Sequence, residues 1–181
     1  MMLFLVLYLF CLFTALGMGL YCAWTDLRGM IIPNSAVLAV AGAFAVFALV
    51  NLMAGAAAPD VFYGHIGAGL LMFIVTFILF SLGMFGGGDA KLVSAFSLWT
   101  GFSALAYFLF WMTLAGALLG VFALCVKKAK PFKTMREGSW IARLQAGESA
   151  VPYGVAITTG AFVAFYMAGY FAPEQLSLFL M

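Results

Sequence analysis

Charge is nearly absent from this sequence: 8% of its 181 residues are Asp, Glu, Lys or Arg, while 67% are hydrophobic. An ordinary soluble domain carries about 25% charged residues, so a water-facing surface is excluded for most of the chain. Histidine occurs once, as His65, and the three cysteines (Cys11, Cys22 and Cys125) lie inside apolar runs without a C-x-x-C pair. That inventory argues against a zinc ribbon or a disulfide framework, and the cysteines read as small buried hydrophobes. It offers no ligand set for a metalloprotease and no Ser/His pair for a serine hydrolase. No polar stretch is long enough for a separate soluble domain, the longest running from Lys127 to Glu148. The N-terminal Met1-Met2-Leu3-Phe4 has no basic residue, and its apolar run is too long for a signal peptide, so a retained first helix is expected.

What is present is a series of charge-free runs, at residues 1–25, 29–59, 61–88, 92–126 and 149–173. About 20 apolar residues cross a bilayer core as a helix, so each run is long enough to span. The fourth is a special case. As helix it reaches roughly 52 Å, against roughly 60 Å for two full crossings. Two short helices turning at Gly101-Phe102-Ser103, or a re-entrant dip, both fit.

The few charges orient the runs. Six of the eight Lys and Arg residues (Lys127, Lys128, Lys130, Lys133, Arg136 and Arg143) fall in one loop, residues 127–149, and the other two are Arg28 and Lys91. Basic residues in short loops mark the cytoplasmic side. Placing all eight there puts Asp26 and Asp89 on the same face and Asp60 and Glu174 on the opposite one. The expected architecture is therefore all-α and polytopic, a single transmembrane domain over residues 1–181 with a cytoplasmic basic loop. It has about six helices, near residues 2–24, 35–54 and 62–84, two within 92–126, and 152–172, and both termini lie on the extracytoplasmic side. Trp140, Ile141 and Leu144 are placed to share one face of a short helix on the membrane. Gly116-x-x-x-Gly120 reads as helix packing, and His65 as packing or a loop end.

A carboxylate at the end of a membrane helix is a functional hypothesis by default. Asp26 lies in Asp26-Leu27-Arg28 before Ile32-Pro33-Asn34, and Asp89 follows Gly86-Gly87-Gly88 and precedes Ala90-Lys91. Two close carboxylates cannot both ionise, so one stays protonated as an acid while the other activates water. The proton belongs to the pair, and neither role is assigned to one residue. Residues without Cβ let an extended substrate backbone come close, so the glycine run is expected to form a strand-like edge beside Asp89. Pro33 ends the link after Asp26, and Asn34 is placed to cap the second helix. For Arg28 and Lys91 two roles stay open, an electrostatic action on the pair or snorkelling to the headgroups. The plain structural alternative pairs each aspartate with its neighbouring cation at the membrane surface.

These pieces together resemble the type IV prepilin peptidases, and most of all their short form found with tight-adherence (Flp/Tad) pili. The resemblance rests on Asp26-Leu27-Arg28…Ile32-Pro33-Asn34, on Gly86-Gly87-Gly88-Asp89-Ala90-Lys91-Leu92, and on Val151-Pro152-Tyr153-Gly154-Val155-Ala156-Ile157. The glycine–aspartate motif is also related to that of presenilin-type proteases (the G-x-G-D pattern). The resemblance implies that Asp26 and Asp89 are the catalytic pair and that a prepilin or pseudopilin loses its short basic leader at the cytoplasmic face of a bacterial inner membrane. Gly86, Gly87, Gly88, Arg28, Lys91, Pro152, Tyr153 and Gly154 form the expected substrate-binding set. Larger members carry a cytoplasmic insert with paired C-x-x-C zinc ligands and also methylate the new N-terminus. No such insert occurs here, so no metal or other cofactor is expected, and methylation stays open. The bilayer is the other expected partner, and nucleic acid is not one. Two other classes compete with this reading, a catalytically silent pilin-binding or assembly protein and a small proton-coupled transporter. The transporter would place its charges near the bilayer centre, whereas here they gather at one face.

Overall fold

The computed structural model describes residues 2–131 and 140–180. Lys133 and Arg136 of the basic loop lie outside the described residues. The described chain forms seven helices and no strand: α1 (Met2–Gly29), α2 (Asn34–Met53), α3 (Val61–Ser81), α4 (Gly87–Ala129), α5 (Trp140–Gln145), α6 (Tyr153–Met167) and α7 (Pro173–Ser177). Of these α1, α2, α3 and α4 are long and apolar enough to cross a membrane. Their outward faces carry large apolar side chains such as Leu70, Ile74, Phe77, Phe110 and Leu118. So much exposed hydrophobic surface would aggregate in water and is at home in lipid. The chain is a multi-pass membrane protein.

Local sequence sets the helix ends. α1 continues past the expected end near residue 24, because nothing before Gly29 breaks it, and it stops where Met30 turns left-handed (φ 55°). Asp26 therefore sits in the last helical turn rather than in a link. Pro33, in extended conformation, is the cap of α2. Asn34 is not the cap: its Oδ1 accepts a hydrogen bond from Lys91 Nζ at 3.0 Å instead.

α4 is not one rod. Gly101 adopts φ 55° and ψ −174° within it, a backbone state that costs glycine little and other residues much. The rings of Phe96 and Phe108 lie 6.4 Å apart, where an unbroken helix would separate these positions by about 18 Å. α6 tells the same story. Gly160 packs closely on Phe108 and Met112, and Gly116 on Tyr153, while Phe165 reaches back to Phe96 and Trp99. The limbs 87–100 and 102–129 thus run antiparallel, turning at the Gly101 break expected from the sequence. The first limb descends along α3, and Phe102 at the turn fits over Gly67.

The two ends of the bundle are built differently. At one, the first half of α1 meets the segment that follows α6: Tyr8 donates its hydroxyl to the Tyr170 carbonyl at 2.8 Å and packs its ring, tilted, against Phe179 at 4.7 Å. Trp99, fully buried, donates Nε1 to the Val40 carbonyl at 3.0 Å and lies between Phe47, at 5.0 Å, and Phe165, at 5.2 Å. His65 Nδ1 bonds the Leu98 carbonyl here at 2.8 Å, which accounts for that residue as packing. At the other end lie Asp26, Asp89, Arg28 and Lys91. Residues 102–129 run about 20 Å beyond Gly116, carrying Lys127 and Lys128 in their last turn. α5 rests on this extension: Trp140 and Leu144 are buried against Ala123 and Val126. The shared face expected for Trp140, Ile141 and Leu144 therefore exists, but it packs on protein.

Candidate active site

Asp26 arrives from the last turn of α1 and Asp89 from the first turn of α4. A helix amino end favours a nearby anion and a carboxyl end opposes one. Asp89 therefore sits at a favourable end and Asp26 at an unfavourable one. Asp26 is 6% exposed, and its Oδ2 accepts a hydrogen bond from the Gly154 amide at 2.7 Å. That amide, in the first turn of α6, has no partner within its own helix, so it supplies the donor Asp26 needs. Directly beneath, Thr158 Oγ1 lies 2.8 Å from both the Gly19 carbonyl of α1 and the Gly154 carbonyl. It fixes the two helices in register below the carboxylate.

Gly154 also has to be small. A Cβ there would stand 3.0 Å from Asp26 Oδ2 and 3.2 Å from Asp26 Cβ. Gly86 does the same for Asp89, since a Cβ at residue 86 would overlap Asp89 Oδ2. Each carboxylate is thus seated against a glycine from another segment or turn. The two are close enough for the charge of Asp26 to act on Asp89. Asp89 Oδ1 is the one buried side-chain polar atom among the described residues without a hydrogen-bond partner. Leaving a buried carboxylate oxygen unpaired costs free energy, and such exceptions concentrate at functional sites.

Asp89 opens onto a cavity of about 730 Å³ lined by Gly83, Phe85, Gly86, Ser149, Val151 and Tyr153, among others. Tyr153 packs its ring edge-on to Phe85 at 5.6 Å and feels the charge of Asp89. Two irregular segments, before α4 and before α6, thus form the walls around one carboxylate. Asp26 lies behind Gly154 and is not among the lining residues.

The expected site residues divide. Asp26, Asp89, Gly86, Tyr153 and Gly154 come together, and Pro152 is buried at the start of α6. The glycine run departs from a strand-like edge: only Gly86 is extended (φ −72°, ψ 140°), while Gly87 and Gly88 open α4 as helix. Their small size serves packing, against Phe80 and Ile32 respectively. Arg28 and Lys91 are exposed and line no part of this cavity. The Arg28 guanidinium lies 4.3 Å from the Trp24 ring centre, and Lys91 bonds Asn34 on another face of α4. Phe85, Val151 and Gly116 lie outside the site set expected from the sequence: Phe85 abuts the glycine run, Val151 opens the third motif without belonging to that set, and Gly116 belongs to a spacing that ordinary helix packing explains equally well.

Searches of curated proteins and of solved structures find no match. The model of the type IV leader peptidase family matches residues 13–121, a span that holds both aspartates and the whole glycine run and ends before Pro152. This match covers more than half of the chain, and the protein belongs to the type IV leader peptidase family.

Proposed function

We propose that the protein is a membrane-embedded aspartic endopeptidase that removes the short basic leader of type IV prepilins, of the Flp type, at the cytoplasmic face of the membrane. One observation supports this reading: two carboxylates, far apart in sequence and each seated against a glycine, lie close enough at one end of an apolar bundle for one charge to act on the other, and Asp89 opens onto a cavity there. Family membership supports the peptidase and its prepilin substrate. The topology proposed with it has six crossings, counting the two limbs of α4 separately, with both termini outside and the basic loop inside.

The chemistry follows from the pair. With one proton shared between Asp26 and Asp89, the ionised member takes a proton from water as its oxygen attacks the scissile carbonyl carbon. The protonated member hydrogen-bonds the carbonyl oxygen as negative charge develops there. Collapse of the tetrahedral intermediate returns a proton to the leaving amine. The Gly154 amide holds Asp26 in one orientation, leaving its second oxygen for the reaction. Gly86, Tyr153 and the neighbouring extended residues are the proposed backbone-binding walls for the unwound substrate segment. A basic leader entering beside two acidic residues is drawn there electrostatically.

The test is co-expression with a candidate prepilin from the same genome, reading leader removal by gel shift and N-terminal mass. Cleavage by the natural protein, lost in Asp26→Asn and in Asp89→Asn at matched membrane levels, is the expected result. Full cleavage by either variant overturns the reading. Failure of every form on a pilin that a known peptidase cuts would leave a catalytically silent pilin-binding protein in its place.

A further inference from the structure

A second cavity, of about 500 Å³, lies on another side of the first limb of α4 and shares no lining residue with the one at Asp89. It is a groove between α2 and α3, floored by α4, with Val37, Leu38 and Ala41 on one wall, Phe73 on the other and Leu98 at its base. The volume falls in the range of ordinary ligand sites, roughly 300–1,000 Å³. Its polar groups gather toward one end, where Lys91 Nζ meets Asn34 Oδ1 at 3.0 Å. Ser94 adds no free donor, its hydroxyl being bonded to the Ala90 carbonyl at 2.7 Å.

We propose that this groove holds an acyl chain of an anionic phospholipid, with the headgroup phosphate at Lys91. Three observations support the assignment. The Lys91 ammonium meets a neutral amide and, among the described residues, no carboxylate within ion-pair distance, so its charge is uncompensated. It stands beside the amino end of α2, where the helix dipole and the first backbone amides add to the positive potential. Its depth is right as well. α2 and α3 have 20 and 21 residues, about 30 Å each, which matches the hydrocarbon thickness. Asn34, the first residue of α2, and Lys91 bonded to it therefore lie at the headgroup level, with the apolar groove running into the hydrocarbon. The substrate's own apolar helix is the competing occupant. On the peptidase reading it follows a basic leader, which Lys91 would repel, and the groove lies on the side of α4 away from the cavity at Asp89.

The experiment uses the full chain, purified in mild detergent with an equal mixture of phosphatidylglycerol and phosphatidylcholine of the same acyl chains. Retained lipid is counted by native mass spectrometry. The natural protein is expected to keep one phosphatidylglycerol, favoured about five-fold over phosphatidylcholine, as one lysine–headgroup attraction implies. Lys91→Gln keeps an amide donor for Asn34 and is expected to fold unchanged while losing the headgroup preference. Ala41→Phe, which fills the groove, is expected to lose both lipids. Lys128→Gln, on the exposed end of α4, is the control expected to keep the preference. No preference in the natural protein, or the same preference in Lys91→Gln, overturns the proposal. So does loss in Lys128→Gln alone, which would mark a surface charge effect, or release of the lipid by a prepilin peptide that cross-links at residue 38. The choice of lipid over substrate helix rests on the peptidase reading, but nothing is cleaved in this measurement, so a missing lipid preference overturns the groove assignment and leaves the peptidase reading standing.

Discussion

The end of the bundle where Tyr8 meets Tyr170 and Phe179 and the end that carries the aspartates solve opposite problems. At the first, large rings fill the space: Tyr8, Phe47, Trp99, Phe165 and Tyr170 are buried, and Trp99 and the two tyrosines each donate a hydrogen bond to a backbone carbonyl of a distant segment, Val40, Tyr170 and Trp99 in turn. At the second, the contacts are made by the smallest residue. Gly86, Gly116 and Gly154 sit so close to an aspartate or Tyr153 that an added methyl would overlap its neighbour at the first two and crowd it at the third. Lipid tails give helices no hydrophobic reason to associate, so membrane bundles depend on packing and on satisfied polar groups. One closely packed, fully bonded end holds the helices in register. The other is then free to keep an open cavity and an unpaired carboxylate oxygen.

The sharpest way to break that comparison is to disable each end in turn. Asp89→Asn and Asp26→Asn are expected to lower leader removal by at least about 10²–10⁴-fold, the usual contribution of a positioned acid or base. The thermal unfolding midpoint in detergent should scarcely move for Asp89→Asn. Asp26→Asn retains an amide oxygen to accept the Gly154 hydrogen bond and is also expected to remain folded. Trp99→Ala reverses the pattern. It empties a fully buried site at the far end and removes the bond to Val40, at a cost of about 3–5 kcal/mol. The expected readout is a lower unfolding midpoint and less folded protein in the membrane, with cleavage per folded molecule nearly unchanged. A Trp99→Ala protein that is stable yet inactive would show that the two ends are not separable in this way.

Gly154→Ala probes the seam between them. Its methyl would press on Asp26 at 3.0 Å, and displacing a reacting group by a fraction of an ångström to an ångström costs up to about 10²-fold. We expect cleavage to fall by about 10–10²-fold in a protein that still unfolds cooperatively. Wild-type rates in Gly154→Ala, measured on the same prepilin at matched membrane levels, would separate the Gly154 contact from the chemistry.

Much of this was legible in the sequence, for physical reasons that differ from residue to residue. Run length against bilayer thickness placed α2 and α3 within a few residues, and the Gly101 turn was one of two readings of a run too long for one crossing and too short for two full ones, interrupted at Gly101-Phe102-Ser103. The clustering of Asp26, Asp89, Arg28 and Lys91 at one end of the bundle, with Lys127 and Lys128 on the helix that extends beyond it, followed from charge alone. Helix caps were less legible. Whether Asn34 caps α2 or receives Lys91 depends on where α4 passes, and that is a tertiary fact. The glycine run was read by what glycine permits, yet Gly87 and Gly88 are helical because they begin a long apolar helix and pack on Phe80 and Ile32. The bond between Gly154 and Asp26 joins the two ends of the chain, and no local pattern announces it.

Gly116 and Gly120 offer the finest test, because the sequence treats them as one motif and the structure does not. A Cβ at residue 116 would stand 2.7 Å from Tyr153 Cε2 and 2.8 Å from its hydroxyl oxygen, whereas one at residue 120 meets nothing within 4 Å. Were the pair simply a packing motif, alanine at either position would act alike. Tyr153 forms part of the wall facing Asp89, so Gly116→Ala must push that ring toward the cavity or push α4 away from α6. The expected result is a several-fold loss of cleavage with a small change in stability, below about 1–3 kcal/mol for overpacking at one methyl. Gly120→Ala, at a half-buried helix position with open space beside it, is expected to be neutral in cleavage and to gain up to about 1 kcal/mol in stability from helix propensity. Rates and unfolding midpoints for the two variants, measured side by side, decide it. Equal effects would return Gly116 to generic helix packing and detach Tyr153 from the working end of the molecule.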